Sequence, residues 1–594
     1  MAMSKNVGAS VTKNDQALAM LNEQRLTEAK FLYENICQND PLDAESWFML
    51  GIVHAQLKAF DKAETCFMRS AAVAPERAAI HYNLGKARES QEKFDLALQS
   101  YQEALRIEPR FAAAYNNIGT LYQYRGMDSE AATSFREALR LDPSLFEAHF
   151  NLGNIYRHQG KLDEAMASYK HALNLKQDSS DVRRNIGHVL YRLGRLEEAA
   201  DSYRLALQSK PDDAQANNGL GNALRDIGKL EEANASFRKA LQIKPDFAEA
   251  LNNMGVSLKL QGKYEEAIAV YTQALKIRPE YAQAYNNLGN ALRDIGKLEE
   301  AKARFRKALQ IKPEAANVYF NLHSLLIDRN DMAPVINCLT NAIMLNPKNI
   351  GYKFHLGTLL EYAGNSKTAA HYLKEAQQGS ALDKACLDSW NYIKSAQQVL
   401  PTMIGSTTAG LRLGMDAAPA SGLVMEFGVR HGATIRQIAE LASQQVHGFD
   451  SFEGLPEVWH DQPKGSYTAN GIIPKVPDNV RIYKGWFENT LPAFVKAHKQ
   501  PVRFMNIDCD LYSSTKTILD SFSSQIIPGT VIAFDEYFGN VHWRKDEFKA
   551  FQEAVHTYGW HYEYLAFSLF TKQAVVRILQ VTGKGRRKKR DDGS

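Results

Sequence analysis

Along the first two thirds of the chain, small and large apolar residues return at a fixed step of 34 positions. Glycine stands at Gly51, Gly85, Gly119, Gly153, Gly187, Gly221, Gly255, Gly289 and Gly357, and proline keeps the same step from Pro41 and Pro75 to Pro313 and Pro347. Between them fall triplets such as Ala131, Phe135 and Ala138, or Ala267, Tyr271 and Ala274, spaced to share one helix face. The pattern predicts antiparallel helix pairs. Glycine and alanine permit close approach, the ring fills the gap, and proline stops the second helix. In the last third, short apolar runs replace this period. They predict strands over 423–427, 446–452, 480–486, 502–508, 530–537, 562–567 and 574–579, with helices over 433–441, 491–498 and 515–524.

A 34-residue period of this composition resembles tetratricopeptide repeats. The array is predicted over residues 13–378 as about eleven helix pairs wound into a right-handed superhelix. His323 replaces one glycine and Gln177 one proline, which predicts local loosening rather than a boundary. Two residues before each glycine comes an amide: Asn83, Asn117, Asn151, Asn185, Asn253, Asn287 and Asn321, with Gly219 interrupting. On one reading these side chains only cap or space neighbouring repeats. On the other they form a ladder that donates to and accepts from the backbone of an extended peptide. That ladder resembles the repeat region of O-linked N-acetylglucosamine transferase, and it implies a protein or peptide partner. No later stretch is long enough for that enzyme's two-lobed catalytic domain.

Residues 379–422 lose the register and are expected to form a helical linker or lid, with helices over 382–400 and 407–415 and a small-residue joint at 417–422. The strands that follow resemble the open, Rossmann-like sheet of class I methyltransferases, expected over 423–580. Ligands in such sheets sit at the carboxyl ends of the strands. The first strand runs into a turn bracketed by Gly428 and Gly432, preceded by Glu426. A carboxylate there repels phosphate but suits the sulfonium and amino group of S-adenosylmethionine. Asp450, followed by Ser451, ends the second strand, where it can accept both hydroxyls of a ribose. Asp508 and Asp510 follow the fourth strand, and Asp535 and Glu536 the fifth. Carboxylates gathered at one sheet edge repel unless a cation lies among them, and oxygen ligands alone favour Mg²⁺ over zinc.

At 594 residues the chain requires several domains, an all-α repeat array followed by an α/β domain. With 45% hydrophobic residues, 23% charged residues and net charge +4, it has no general attraction to nucleic acid. Five scattered cysteines form no CxxC pair, which argues against zinc or a disulfide framework. The N-terminus lacks the apolar core of a secretion signal, and no run approaches a membrane span, so a cytoplasmic protein without a membrane partner is expected. Residues 1–12 and the basic tail 581–594 are expected to be disordered. The tail's Lys584–Arg590 run is read as a solvated end, and the chain lacks the Pro-rich tetrapeptide of base amino-methylation.

Four segments carry a narrower likeness: Gly448 to Pro456, Lys484 to Pro492, Asp508 to Thr515 and Asp535 to Tyr537. They resemble, in order, the macrocin O-methyltransferase family, whose members include metal-dependent enzymes that methylate sugar hydroxyls. The resemblance implies that Glu426, Gly428 and Asp450 bind S-adenosylmethionine, and Gly432 in the same turn and Ser451 beside Asp450 are further candidates. It also implies that Asp508, Asp535 and Glu536 hold Mg²⁺, with Asp510 as an alternate ligand. Where the family usually has Asp-Asp-Tyr, this chain has Asp535-Glu536-Tyr537. The implied reaction is methyl transfer to the hydroxyl of a glycan or small molecule. Asp508, Asp510 and His460 are candidate bases, with His542 and His561 also open. The competing expectation is a repeat scaffold whose methyltransferase-like domain is idle.

Overall fold

The computed structural model describes residues 13–582, which form two compact units, one ending at Ile227 and one beginning at Gly228. Residues 1–12 and 583–594, with the disorder and the basic run expected of them, lie outside the described residues. Twenty-two helices follow one another from Lys13 to Gln378, thirteen in the first unit and nine in the second. In the first unit a Cβ on Gly119 would lie 2.7 Å from the Phe135 ring, and one on Gly153 would lie 2.6 Å from the Tyr169 ring. Glycine is therefore required where these two first helices meet the aromatic ring of the partner helix.

The second unit contains the last repeats and the sheet. Here His323 is fully buried, Leu339 stands where the first nine pairs have an aromatic, and the first helix, Ala316–Ser324, has 9 residues against 13 in Ala282–Asp294. Shortening of the helix thus accompanies His323. It does not occur at Gln177, where Leu162–Leu175 keeps the 14 residues of its counterparts.

Eight strands follow: β1 (Thr402–Met403), β2 (Leu423–Phe427), β3 (Val446–Asp450), β4 (Val480–Lys484), β5 (Val502–Ile507), β6 (Val531–Phe534), β7 (Trp560–Phe567) and β8 (Ala574–Val581). They form one sheet in the order β1-β7-β8-β6-β5-β2-β3-β4. The pairs from β4 across to β6 are parallel, while β8 is antiparallel to both β6 and β7. β2 and β6 are buried along their whole length, as expected of strands covered on both faces. Val581, read from sequence as the start of the tail, closes β8.

The segment 379–422, expected as a helical linker or lid, is helical, and its Leu382 lines the cavity described below. The segment is part of the fold. Trp390, in helix Ala381–Ala396, is fully buried against Phe567 of β7, with ring centroids 5.9 Å apart. β1 pairs with β7, and Gly414 of helix Thr407–Ala417 approaches Phe504, Val531 and Val575 so closely that a Cβ would meet all three.

Within the second unit, repeats and sheet share contacts. A Cβ on Gly405 would sit 1.8 Å from the Ser324 carbonyl oxygen, and Gln437 donates to the Asp294 carbonyl at 3.1 Å. His431, in the glycine turn after β2, packs on Gly262, where a Cβ would be 2.1 Å from its ring. Burial, with nearby Arg430 and Arg436, pushes the His431 imidazole down to about 4.

Candidate active site

The strand order reverses between β2 and β5, the place where open α/β sheets form a crevice beyond the carboxyl ends of their strands. A cavity of about 1070 Å³ lies there. Gly428, Asp450, Asp508 and Asp535 line it, each the last residue of a strand or the next one on. Ser451, His460, Asp510 and Glu536 also line it, whereas Glu426 and Gly432 do not. Gly428 has φ +94°, and a Cβ on it would be 1.7 Å from the Asp508 carbonyl oxygen, so only glycine lets the ends of β2 and β5 meet. Gly432, at φ +75°, is the N-cap of helix Ala433–Leu441.

Glu426 is fully buried in β2. The Asn506 amide donates to its Oε1 at 3.1 Å, while Oε2 has no hydrogen-bond partner. Burial raises its carboxyl well above the usual range, and the charges of Asp450 and Asp535 push the same way against the Asn506 donor. An orphaned carboxylate oxygen at this depth costs free energy unless a donor or cation meets it.

Asp450 accepts from the Arg430 N–H and the Phe452 N–H, both at 2.6 Å, which fixes the turn and leaves further lone pairs on each oxygen. Burial raises its carboxyl and these backbone donors oppose the rise. Ser451 accepts from the Glu453 N–H at 3.1 Å.

The remaining carboxylates crowd one another. Burial raises Asp508 well above the usual range, with Asp535 and Asp510 adding to the shift. Asp510, at φ +61°, is raised to about 7 by burial and by the charges of Glu536 and Asp535. Asp535 is raised to about 6 by burial, against a hydrogen bond from the Gln573 amide. Glu536 pairs with Lys572 at 3.1 Å.

Sequence reasoning missed Glu547. It is fully buried at the start of helix Glu547–Tyr558, and neither carboxylate oxygen makes a well-formed hydrogen bond. Burial lifts it well above the usual range, as do the charges of Asp510, Asp535 and Glu536. Its helix was also missed, although Phe548, Phe551 and Ala554 recur at helical spacing behind Asp546.

Of the histidines, His460 has Nε2 2.9 Å from Asp546 Oδ2, and its ring stacks on His542 with centroids 3.9 Å apart. His561 is exposed on β7 and does not line the cavity. The oxygen donors at the glycine turn suit a cationic, hydroxyl-bearing ligand such as S-adenosylmethionine. The mutually raised carboxylates suit a divalent cation in charge and donor type. Even so, among the described residues no group of three or more His, Cys, Asp or Glu side chains is arranged to hold a metal ion.

The asparagines of the repeats are partly engaged already. Asn287 donates to Asn252 and Asn321 to Asn286, each at 2.9 Å and 35 positions apart, so each clips one repeat to the next. Asn185 donates to Asn154 at 2.8 Å, Asn117 to the Tyr101 hydroxyl at 3.2 Å, and Asn83 to the Ala79 carbonyl within its own helix. Asn253 accepts from Asn252 at 3.5 Å, and Asn151 is half-buried. Asn185, Asn287 and Asn321 thus bridge neighbouring repeats.

Residues 425–537 match the family described as a methyltransferase domain. Residues 14–75 and 78–111 match tetratricopeptide repeat families, 122–157 matches a TPR repeat family, and 144–335 matches the C-terminal domain of cilia and flagella-associated protein 70. The chain is a tetratricopeptide repeat protein that carries a C-terminal methyltransferase domain. Among curated proteins it is similar to an 8-demethyl-8-(2,3-dimethoxy-alpha-L-rhamnosyl)-tetracenomycin-C 4'-O-methyltransferase of Streptomyces olivaceus, 29% identical over 175 residues, or 25% of this chain. The chain spans 60% of the length of that relative. Among solved structures it is similar to YrrB, described as a TPR protein with an unusual peptide-binding site, with 25% identity, TM-score 0.28, and coverage of 32% of this chain and 96% of that one. It is also similar to pilF of Pseudomonas aeruginosa, with 23% identity, TM-score 0.31, and coverage of 34% and 92%. Among the described residues no helix is long and apolar enough to cross a membrane.

Proposed function

We propose that this chain is a cytoplasmic, S-adenosylmethionine-dependent and Mg²⁺-dependent O-methyltransferase that acts on the hydroxyl of a sugar or another small acceptor, with repeats that recruit a protein or peptide. The observation that carries the reading is the meeting of Gly428, Asp450, Asp508, Asp510 and Asp535 in one cavity at the strand ends. The name of the Streptomyces olivaceus relative, a 4'-O-methyltransferase, supports oxygen as the acceptor atom. When bound, S-adenosylmethionine supplies the methyl group on its sulfonium, and Mg²⁺ supplies positive charge that makes a hydroxyl more acidic.

Glu426 and Asp450 would take the cofactor's amino group and ribose hydroxyls, with Ser451 beside them and the backbones of Gly428 and Gly432 framing the turn. Asp508, Asp535 and Glu536 would hold the ion. Asp510 would accept the acceptor's proton. The alternative base is His460, oriented by Asp546. Holding donor and acceptor in line is mainly a positioning task, and residues fixed by rigid strand ends suit it.

A second reading, a repeat scaffold with an idle cofactor-binding domain, is favoured by the Lys572–Glu536 pair, which neutralises part of the cluster without a metal. Calorimetry with S-adenosylmethionine, with and without Mg²⁺, separates the two on wild type and Asp535→Ala. The proposal expects both ligands to bind wild type and the Mg²⁺ response to be lost in the variant. An unchanged metal response would remove Asp535 from the coordination shell, and no cofactor binding to wild type would overturn the proposal.

A further inference from the structure

The turn between β7 and β8 makes contacts that the proposed chemistry does not use. Its tip residue, Phe570, lies against the repeats, with ring centroids 5.4 Å from Phe320, 5.3 Å from His323 and 6.1 Å from His355. The Arg293 guanidinium carbon stands 5.4 Å from the centre of the same ring. These four residues come from the first helices of three successive pairs, Ala282–Asp294, Ala316–Ser324 and Ile350–Tyr362.

Two of them are departures from the repeat. His323 stands at a position that holds glycine in nine other pairs and alanine in the first, and His355 stands at the asparagine position. The changes fall where Phe570 is received. Burial holds both imidazoles neutral, His355 down to about 4 and His323 well below its ordinary value. They therefore act as aromatic walls rather than charges.

The base of the same turn reaches the acidic cluster. Lys572 pairs with Glu536, Gln573 donates to Asp535 and to the Thr407 hydroxyl at 3.1 Å, and the Phe538 N–H donates to the Lys572 carbonyl at 3.0 Å. Internal bonds stiffen the turn between tip and base. The Ser568 N–H donates to the Gln573 carbonyl at 2.8 Å, and the Thr571 N–H donates to Ser568 Oγ at 2.9 Å. A short, cross-braced turn cannot shift at its tip without shifting at its base.

We infer that Phe570 is a positioning residue: seated among Arg293, Phe320, His323 and His355, it fixes the turn whose Lys572 and Gln573 hold Glu536 and Asp535. The last three repeats are then a working part of the site as well as a place for partners. The consequence for catalysis rests on the proposed role of Asp535 and Glu536, but the linkage itself does not.

The test is amide hydrogen exchange on the full chain without ligand, so it stands or falls independently of methyl transfer. Phe570→Ala is compared with wild type and with Phe570→Tyr, which keeps the ring. In Phe570→Ala, exchange is expected to rise roughly tenfold over both 568–573 and 535–540, as local opening becomes easier. β2 and β5 should keep their protection, and Phe570→Tyr should restore the wild-type pattern. Faster exchange confined to 568–573, a uniform rise across the whole sheet, or no change would overturn the inference.

Discussion

Replacing Asp510 by asparagine is expected to lower turnover by roughly 10²–10⁴-fold, the usual contribution of a positioned general base. Binding of S-adenosylmethionine should be unaffected, because its proposed contacts lie on Glu426 and Asp450. The pH profile gives the sharper readout. Burial and the charges of Glu536 and Asp535 push the Asp510 carboxyl up to about 7. A base works only when ionised, so the wild-type rate should rise with pH as Asp510 loses its proton, at a lower pH with Mg²⁺ bound than without it, and the asparagine variant should lose that rising limb. A variant that keeps both its turnover and the limb would move the role to the His460–Asp546 pair, which His460→Gln would then disable.

Glu426→Gln is the second large change, with opposite effects on binding and stability. The glutamine fills the same buried space and keeps a group for Asn506, but it removes the charge proposed to meet the cofactor's amino group. Hydrogen bonds to charged groups contribute about 1.5–3 kcal/mol, so cofactor affinity should fall on the order of 10–100-fold by calorimetry. The ligand-free protein should become more stable, because a buried carboxylate with an orphaned oxygen has gone. The sign with pH follows from the raised folded-state value of Glu426. A carboxyl whose folded pKa lies above its unfolded one gives stability that is present below the unfolded pKa and lost as pH rises through the folded one. The Tm advantage of the variant should therefore be largest at alkaline pH and close as pH falls toward 4. An equal or lower Tm for the variant at alkaline pH would contradict this account of Glu426.

The elements whose packing is periodic were legible in the sequence. Glycine, an aromatic and two alanines at fixed spacing determine a helix pair, and the contact of Gly119 with Phe135 shows why no larger residue serves there. The acidic residues of the cavity were legible for a similar reason, since each sits at a strand end that the apolar pattern already marks. Relations between distant segments were not legible. Nothing local in 402–403 announces a strand, because β1 exists only through pairing with β7. Residues 379–422 read as a linker because the burial of Trp390 depends on Phe567, far along the chain. Glu547 was missed together with its helix, since its burial comes from the tertiary fold. His323 was read only as a local loosening and His355 was not singled out, since both pack on Phe570, more than two hundred residues later.

A crystal structure of the full chain with S-adenosylhomocysteine and Mg²⁺ tests the central claim most directly. The account predicts ribose oxygens on Asp450, the amino group within reach of Glu426, and an ion about 2.0–2.1 Å from oxygens of Asp508 and Asp535. Ligand seated away from the ends of β2 and β3, or a cavity still empty at saturating ligand, would contradict it.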